Sequence, residues 1–308
     1  RPIIARLATA GGNYEIIHLL ESKFVRFNDE AFSTSIIFHQ NQLFEYFHST
    51  YDINFNVKHL ALAIQYYNFF CLNAILCETP NILQNLNEVI SMMTLACQFG
   101  NLDALKYFFT IVDCNKLMKK NPRFFLQACS FGHVNVVEYL LSIDGIIKAV
   151  TDRTGNTALH IASYEGHVDV VRLLVNTGLF SPNELNKFHE TSLQRAIRSQ
   201  GYYVVKYFIE EYKEKININN VTQNWTTALM TSIENGLYDI FELLLSCEGI
   251  DLSISCKNGK TALHLAALFG DHEMVARLLA IAGIGLNFRD KKGLTPLFCA
   301  VQSNKKDI

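Results

Sequence analysis

The chain has 308 residues, 49% hydrophobic and 18% charged, which provides for a large core and excludes disorder throughout. Lys and Arg number 27 against 29 Asp and Glu, and a net charge of −2 argues against a broad phosphate-gripping surface. Five Pro and 16 Gly exclude Pro-rich and collagen-like architectures. The eight cysteines, at 71, 77, 97, 114, 129, 247, 256 and 299, form no C-x-x-C and read as reduced, mostly buried thiols of an intracellular protein. Apolar runs such as Phe69 to Leu72 fall far short of the ~20 residues a membrane helix needs. No basic-then-apolar signal opens the chain, although it starts on Arg1, so a preceding segment stays open. The expectation is a cytoplasmic or nuclear setting.

In chain order, Ala8 to Leu20 (ATAGGNYEIIHLL) contains a small residue, a glycine break and an apolar second helix. Phe44-Glu45-Tyr46-Phe47 and Leu72-Asn73-Ala74-Ile75-Leu76 read as two more second helices, at irregular spacings near 27 to 33 residues. The spacing then settles. Gly100, Gly132, Gly166, Gln200, Gly236, Gly270 and Asn304 recur in phase, each preceded four residues earlier by Ala or Ser. Thr157-Ala158-Leu159-His160 returns as Thr191-Ser192-Leu193-Gln194, Thr227-Ala228-Leu229-Met230, Thr261-Ala262-Leu263-His264 and Thr295-Pro296-Leu297-Phe298, in steps of 34, 36, 34 and 34 residues. A fixed period of this length marks a repeat architecture.

The unit from Asp152 shows why each period folds as a helix pair. Asp152-Arg153-Thr154-Gly155 is turn chemistry. Thr157 can cap a helix, Ala158, Leu159 and Ala162 share one face, and Gly166 ends it. Val168, Val170, Val171, Leu173, Leu174 and Val175 make a second helix that needs burial on more than one side. A single pair cannot supply that burial; a neighbouring pair can.

The two best copies, DRTGNTALHIASYEGHVDVVRLLV from Asp152 and CKNGKTALHLAALFGDHEMVARLLA from Cys256, resemble the ankyrin repeat. The resemblance is clear over 119–308, with the last repeat truncated, and degenerate over 1–118, where a separate helical domain is the competing reading. The Asn, Phe, Tyr and Ile bias resembles the large ankyrin families of protists. What the resemblance implies is an all-α ankyrin-repeat solenoid of stacked helix-turn-helix units with short hairpin or turn loops. There would be seven recognisable units and two or three degenerate ones before them. It also implies that His160 and His264 share hydrogen bonds with Thr157 and Thr261 and the adjoining loop, with Gly166 and Gly270 completing the structural motif. Lys305 to Ile308 would then stop just inside a last second helix, leaving Leu278, Leu279 and Leu297 open, as in a fragment of a longer protein.

No G-x-x-x-x-G-K, G-x-G-x-x-G or G-x-S-x-G occurs, and the histidines and cysteines lack zinc spacing. The expectation is no enzyme, no cofactor, no metal and no nucleic acid, in a monomer. The resemblance implies a concave groove that binds a partner protein; the alternative is a regulatory arm of a larger enzyme or channel. Candidate anchors are Phe99, Phe131, Tyr164, Phe188, Trp225, Leu268 and Phe269, with Arg153, Lys187, Arg198, Asn224, Lys257, Lys260 and Lys291 beside them. Glu190 belongs to the same set of varying tip residues. His189 and Trp225 stand where other tips carry Gly155, Gly259 or Gly293, so those two hairpins are expected to be the least regular.

Overall fold

The structure is a computed structural model that describes residues 2–83, 86–111, 123–143, 150–281 and 283–302. Cys114, the expected boundary at 118/119, Asn304 and the Lys305 to Ile308 end lie outside these. Among the described residues there are nineteen α-helices and no strand. The chain divides into two compact units, residues 1–128 with 138–146, and residues 129–137 with 147–308.

In the first unit, α1 (Pro2–Gly11), α3 (Asp29–Ile37), α5 (Val57–Gln65) and α7 (Leu86–Phe99) pack side by side in sequence order. α2 (Tyr14–Ser22), α4 (Asn41–Tyr51), α6 (Phe69–Glu78) and α8 (Leu102–Ile111) each fold back on the helix before. α9 (Arg123–Ser130) and α10 (Val134–Leu141) come next. In the second unit, α11 (Ala158–Glu165), α13 (Ser192–Arg198), α15 (Ala228–Glu234), α17 (Ala262–Phe269) and α19 (Pro296–Gln302) stack in order. Behind them run α12 (Val168–Asn176), α14 (Tyr202–Tyr212), α16 (Tyr238–Leu245) and α18 (His272–Leu279). The expected all-α stacking of helix pairs is what each unit forms.

One backbone device joins the two helices of each pair. The first helix ends on a left-handed residue: Gly166 at φ 82° and Gly270 at φ 78°, but also His39 at 56°, Tyr67 at 57° and Gln200 at 63°. At seven of these junctions the next N–H then donates to the carbonyl five residues back. Asn68 donates to Ala63 (2.9 Å), Asn101 to Ala96 (2.8 Å), His167 to Ala162 (3.0 Å) and Leu237 to Ser232 (2.9 Å). This is the two-residue overshoot of a Schellman cap, which satisfies the orphan carbonyls of the helix end. The small residue whose carbonyl is captured is fully buried at Ala63, Ala96, Ala162 and Ser232.

The first unit adds a second tie. Asn68 and Asn101 cap α6 and α8 with their Oδ1 atoms, on the N–H groups of Cys71 and Ala104. Their Nδ2 atoms reach the carbonyls of Ile36 (3.1 Å) and Ile64 (2.9 Å), at the end of the preceding repeat's first helix. In the second unit the ring of His167 reaches the Ser130 carbonyl the same way (2.9 Å).

In the second unit the first helices open on Thr-x-x-His or its variants. Thr157 Oγ1 lies 2.8 Å from His160 Nδ1, which also accepts from the Thr157 N–H, and His160 Nε2 lies 3.0 Å from the Glu190 carbonyl of the next repeat. Since Nδ1 accepts, Nε2 carries the proton. Thr261 and His264 repeat the arrangement onto Leu294, and Gln194 takes the same place beneath Thr191. Burial pushes the His160 imidazole below its usual pKa, and the nearby Arg195 adds to this against the Glu190 carbonyl.

Leu159, Val170, Val171 and Leu174 are buried, but Leu173 is half-buried at the edge of the α12 face. Leu279 and Leu297 are exposed as expected, whereas Leu278 is buried because it turns inward within the α17/α18 pair. Cys97 and Cys129 are buried in first helices, and burial alone raises the Cys97 thiol pKa. Leu263→Ala, at a buried position, should cost about 2–5 kcal/mol in urea denaturation, and Leu173→Ala clearly less. The neutral His160 ring belongs to the folded state, so unfolded chains take up the proton first below the reference pKa of 6.5. Stability should therefore fall as pH drops below about 6.5, and His160→Gln should flatten that fall while keeping stability at pH 8 near wild type. Urea midpoints across this range would check it.

Candidate functional site

The functional surface of the second unit is built from five tips, 152–156, 186–190, 222–226, 256–260 and 290–294. In each, the first N–H donates to the fifth carbonyl: Asp152 to Asn156 (3.0 Å), Asn186 to Glu190 (3.1 Å), Thr222 to Thr226 (3.1 Å), Cys256 to Lys260 (2.8 Å) and Asp290 to Leu294 (2.9 Å). Each tip then bonds the one before it. Lys187 N–H donates to Thr154 O (3.0 Å), Gln223 to Phe188 (2.9 Å), Lys257 to Asn224 (3.1 Å) and Lys291 to Asn258 (3.0 Å). The tips thus form one continuous backbone ladder, which holds their side chains at a fixed spacing.

The tips at 186–190 and 222–226 are not irregular, contrary to expectation. His189 (φ 57°) and Trp225 (φ 62°) adopt the same left-handed conformation as Gly155, Gly259 and Gly293. Their N–H groups make the same turn bond, to Asn186 (3.0 Å) and Thr222 (2.8 Å). The ladder on either side overrides the steric preference of the two side chains. First-position side chains lock the turns too. Asp152 Oδ1 accepts from the N–H of Thr154 and Asn156, and Asp290 Oδ1 from Lys292 and Leu294. Burial alone would raise the pKa of either carboxyl; these hydrogen bonds hold both below the usual range.

Phe131, Tyr164, Phe188, Trp225 and Phe269 are exposed, Trp225 most of all at 59%. Phe99 and Leu268 are only half-buried, not exposed as expected. Tyr67 covers the end of α7, its hydroxyl donating to the Phe99 carbonyl. Tyr164 carries the Arg195 guanidinium 4.2 Å from its ring centre. Arg153, Lys187, Arg198, Asn224, Lys257 and Lys291 are exposed and Lys260 is half-buried. Lys187 Nζ donates to the Arg153 carbonyl (2.8 Å).

Arg198, Asn224 and Lys257 meet in an open groove of about 450 Å3, with Glu234, Asn235 and Asn258 on its other sides. Burial pushes the Glu234 carboxyl up, against the pull of Arg198. Glu190 sits beneath, 2% exposed, which corrects its placement among the open tip residues. Its carboxylate pairs with Arg198 (3.0 Å) and Arg195 (3.6 Å) and accepts from Asn186 Nδ2 (3.0 Å). The sequence signal was the spacing of an acid with two arginines five and eight residues later.

The first unit holds a separate groove of about 590 Å3, lined by Tyr14, Glu45, Tyr46, His48 and Glu78, which sequence reasoning did not single out. His48 is engaged there by the Ile53 carbonyl (2.8 Å) and Glu78 (2.8 Å). Among the described residues no cluster of three or more His, Cys, Asp or Glu is placed to hold a metal. No helix among them is long and apolar enough to cross a membrane.

Comparison with known proteins fits this geometry. A family model described as ankyrin repeats (3 copies) matches residues 92–184, 177–256 and 229–308. Another, a domain of unknown function (DUF3447), matches residues 2–75. The E3 ubiquitin-protein ligase XBAT33 of Arabidopsis thaliana is 32% identical over 123 residues, 40% of this chain and 22% of the ligase. The putative ankyrin repeat protein L72 of Acanthamoeba polyphaga mimivirus is 27% identical over 173 residues, 54% of this chain and 42% of that protein. The chain therefore spans less than half the length of either relative. A chain from the complex of the Bd0816 predatory endopeptidase of Bdellovibrio bacteriovorus with immunity protein Bd3460 superposes with a TM-score of 0.53 at 25% identity, over 59% of this chain and 93% of that one. The ankyrin repeat protein EF0377 gives a TM-score of 0.53 at 22% identity, over 60% and 93%, and speaks for the fold alone. With repeats matched over more than half its length, the chain belongs to the ankyrin-repeat family.

Proposed function

We propose that this chain is a protein-binding scaffold that holds a partner protein against the tips and groove of its second unit, with no catalysis of its own. The observation that carries the reading is the tip ladder: four inter-tip backbone bonds hold in register the tips that carry exposed Phe188 and Trp225, and Asn224 and Lys257 of the same ladder line the groove with Arg198. A surface already ordered loses little conformational freedom on association. Exposed aromatic and Arg side chains are what binding hot spots use. Phe131, Tyr164, Phe269, Arg153, Lys187, Lys260 and Lys291 complete the candidate contact set. Phe99 and Leu268 contribute edges and not anchors. A solved relative that comes from a complex with an immunity protein supports a binding role.

On this reading residues 119–308 are the binding domain and 1–118 the degenerate N-terminal part of the stack. The chain works as a monomer, in a cytoplasmic or nuclear setting, without nucleic acid. A second reading makes it the regulatory arm of a longer protein; the 22% coverage of the matched ubiquitin ligase favours that arrangement. Either way the groove is the working surface.

The test compares partners captured by wild type and by Trp225→Gly with Phe269→Ala. Glycine suits the left-handed tip backbone, so the variant should keep its circular dichroism spectrum and a urea stability within about 1 kcal/mol of wild type. At least one captured protein should then bind about tenfold more weakly, measured by titration. An unchanged set of partners with unchanged affinities would count against the groove.

A further inference from the structure

We propose that the segment held by this surface is an acidic, extended polypeptide, whose carboxylates meet the lysines of the last two tips while an apolar side chain rests on Trp225 or Phe269. The inference deepens, and rests on, the groove reading. Together the five tips carry Lys187, Lys257, Lys260, Lys291, Lys292 and Arg153 against only Asp152, Asp290 and Glu190.

All three acids are already engaged within the fold. Asp152 and Asp290 each spend one carboxylate oxygen on two backbone N–H groups of their own turns. Glu190 is buried against Arg195 and Arg198. By contrast, no ion pair within 4 Å forms at Lys257, Lys260, Lys291 or Lys292 among the described residues, and Lys260 acts on the Asp290 carboxyl at longer range. The bond from Lys291 N–H to Asn258 O sets these four lysines on adjoining tips. The result is a cationic edge whose lysines form no close ion pair among the described residues.

The rest of the second unit has the opposite sign. Helices α12, α14, α16 and α18 carry Asp169, Glu210, Glu211, Asp239, Glu242 and Glu273 against Arg172, Lys206 and Arg277. Two of those cations are held by Glu210 and Glu242. Within the second unit the tips thus carry six cations against three acids, while the helices behind them carry three against six. Such sorting steers and orients an oppositely charged partner. The neighbouring aromatics add an apolar demand: Trp225 lies one tip away, and Phe269 ends the helix that follows tip 256–260. Asn224, Asn235 and Asn258 offer amide donors and acceptors that an extended backbone can use. Glu234 in the groove disfavours a polyphosphate backbone there, which a peptide mixing acidic and apolar residues can avoid.

Random short peptides displayed for selection on the full 308-residue chain would test this. The selected sequences should be enriched in Asp and Glu flanking an aromatic or aliphatic residue. Synthetic copies should bind about tenfold more weakly to a chain with Lys257→Glu, Lys260→Glu, Lys291→Glu and Lys292→Glu, and more weakly as salt rises. The four Lys→Gln changes give a milder second variant, with circular dichroism as the fold check, and should show a smaller loss in the same direction. Neutral or basic binders that are lost on Trp225→Gly would overturn the acidic partner and leave the groove reading standing. Binders indifferent to both sets of changes, or no binders, would overturn both. Tighter binding of a single-stranded oligonucleotide than of any selected peptide, or lysine-dependent self-association in sedimentation, would overturn the acidic peptide in favour of those occupants.

Discussion

The fold depends on one left-handed residue placed between the two helices of each described pair. Without it the second helix cannot turn back, and the end carbonyls of the first are left without donors. With it, the next N–H closes on the carbonyl of a small buried residue, as His167 does on Ala162 and Asn68 on Ala63. The residue so captured is a small, fully buried Ala or Ser, and successive first helices stack in order. Stability then becomes a sum over pairs and their neighbours. The tip ladder and the groove are consequences, because tips can bond one another only when the pairs beneath them are in register.

Side chains at equivalent places show how loosely chemistry is specified once the backbone is set. His160 and Gln194 both close a capping box and both reach a carbonyl in the next repeat. Met230 at the same place keeps only the Thr227 cap. Asp152, Asn186 and Thr222 each offer an oxygen to the same turn amides. What differs between repeats is then the charge and size of the exposed tip residues, and that is where binding selectivity resides in the proposed function.

Most of the second unit was legible in the sequence, because the Thr, the small residue and the Gly recur at nearly constant spacing. The first unit was harder for a specific reason. Its left-handed positions at 39 and 67 hold His and Tyr, so a search for glycine passes over them. Its ties between repeats come from Asn68 and Asn101, which reach back across the stack and resemble ordinary helix caps when read locally. At the site, the exposure of Phe188, Trp225 and Phe269 followed from repeat phase. The burial of Glu190 did not, since it depends on two arginines of α13 folding over a tip. The regularity of the His189 and Trp225 tips was hidden for the converse reason: residue preference is local, whereas the ladder that overrides it is not.

The most direct measurement concerns Gln200, an exposed left-handed residue whose side chain has little packing to lose. Glycine there relieves the steric cost of φ 63°, while valine, branched at Cβ, increases it. The account predicts that Gln200→Gly raises the unfolding free energy by up to about 1 kcal/mol and that Gln200→Val lowers it by more than that. Equal effects of the two, or a loss of stability with glycine, would contradict the claim that this backbone position governs the stack.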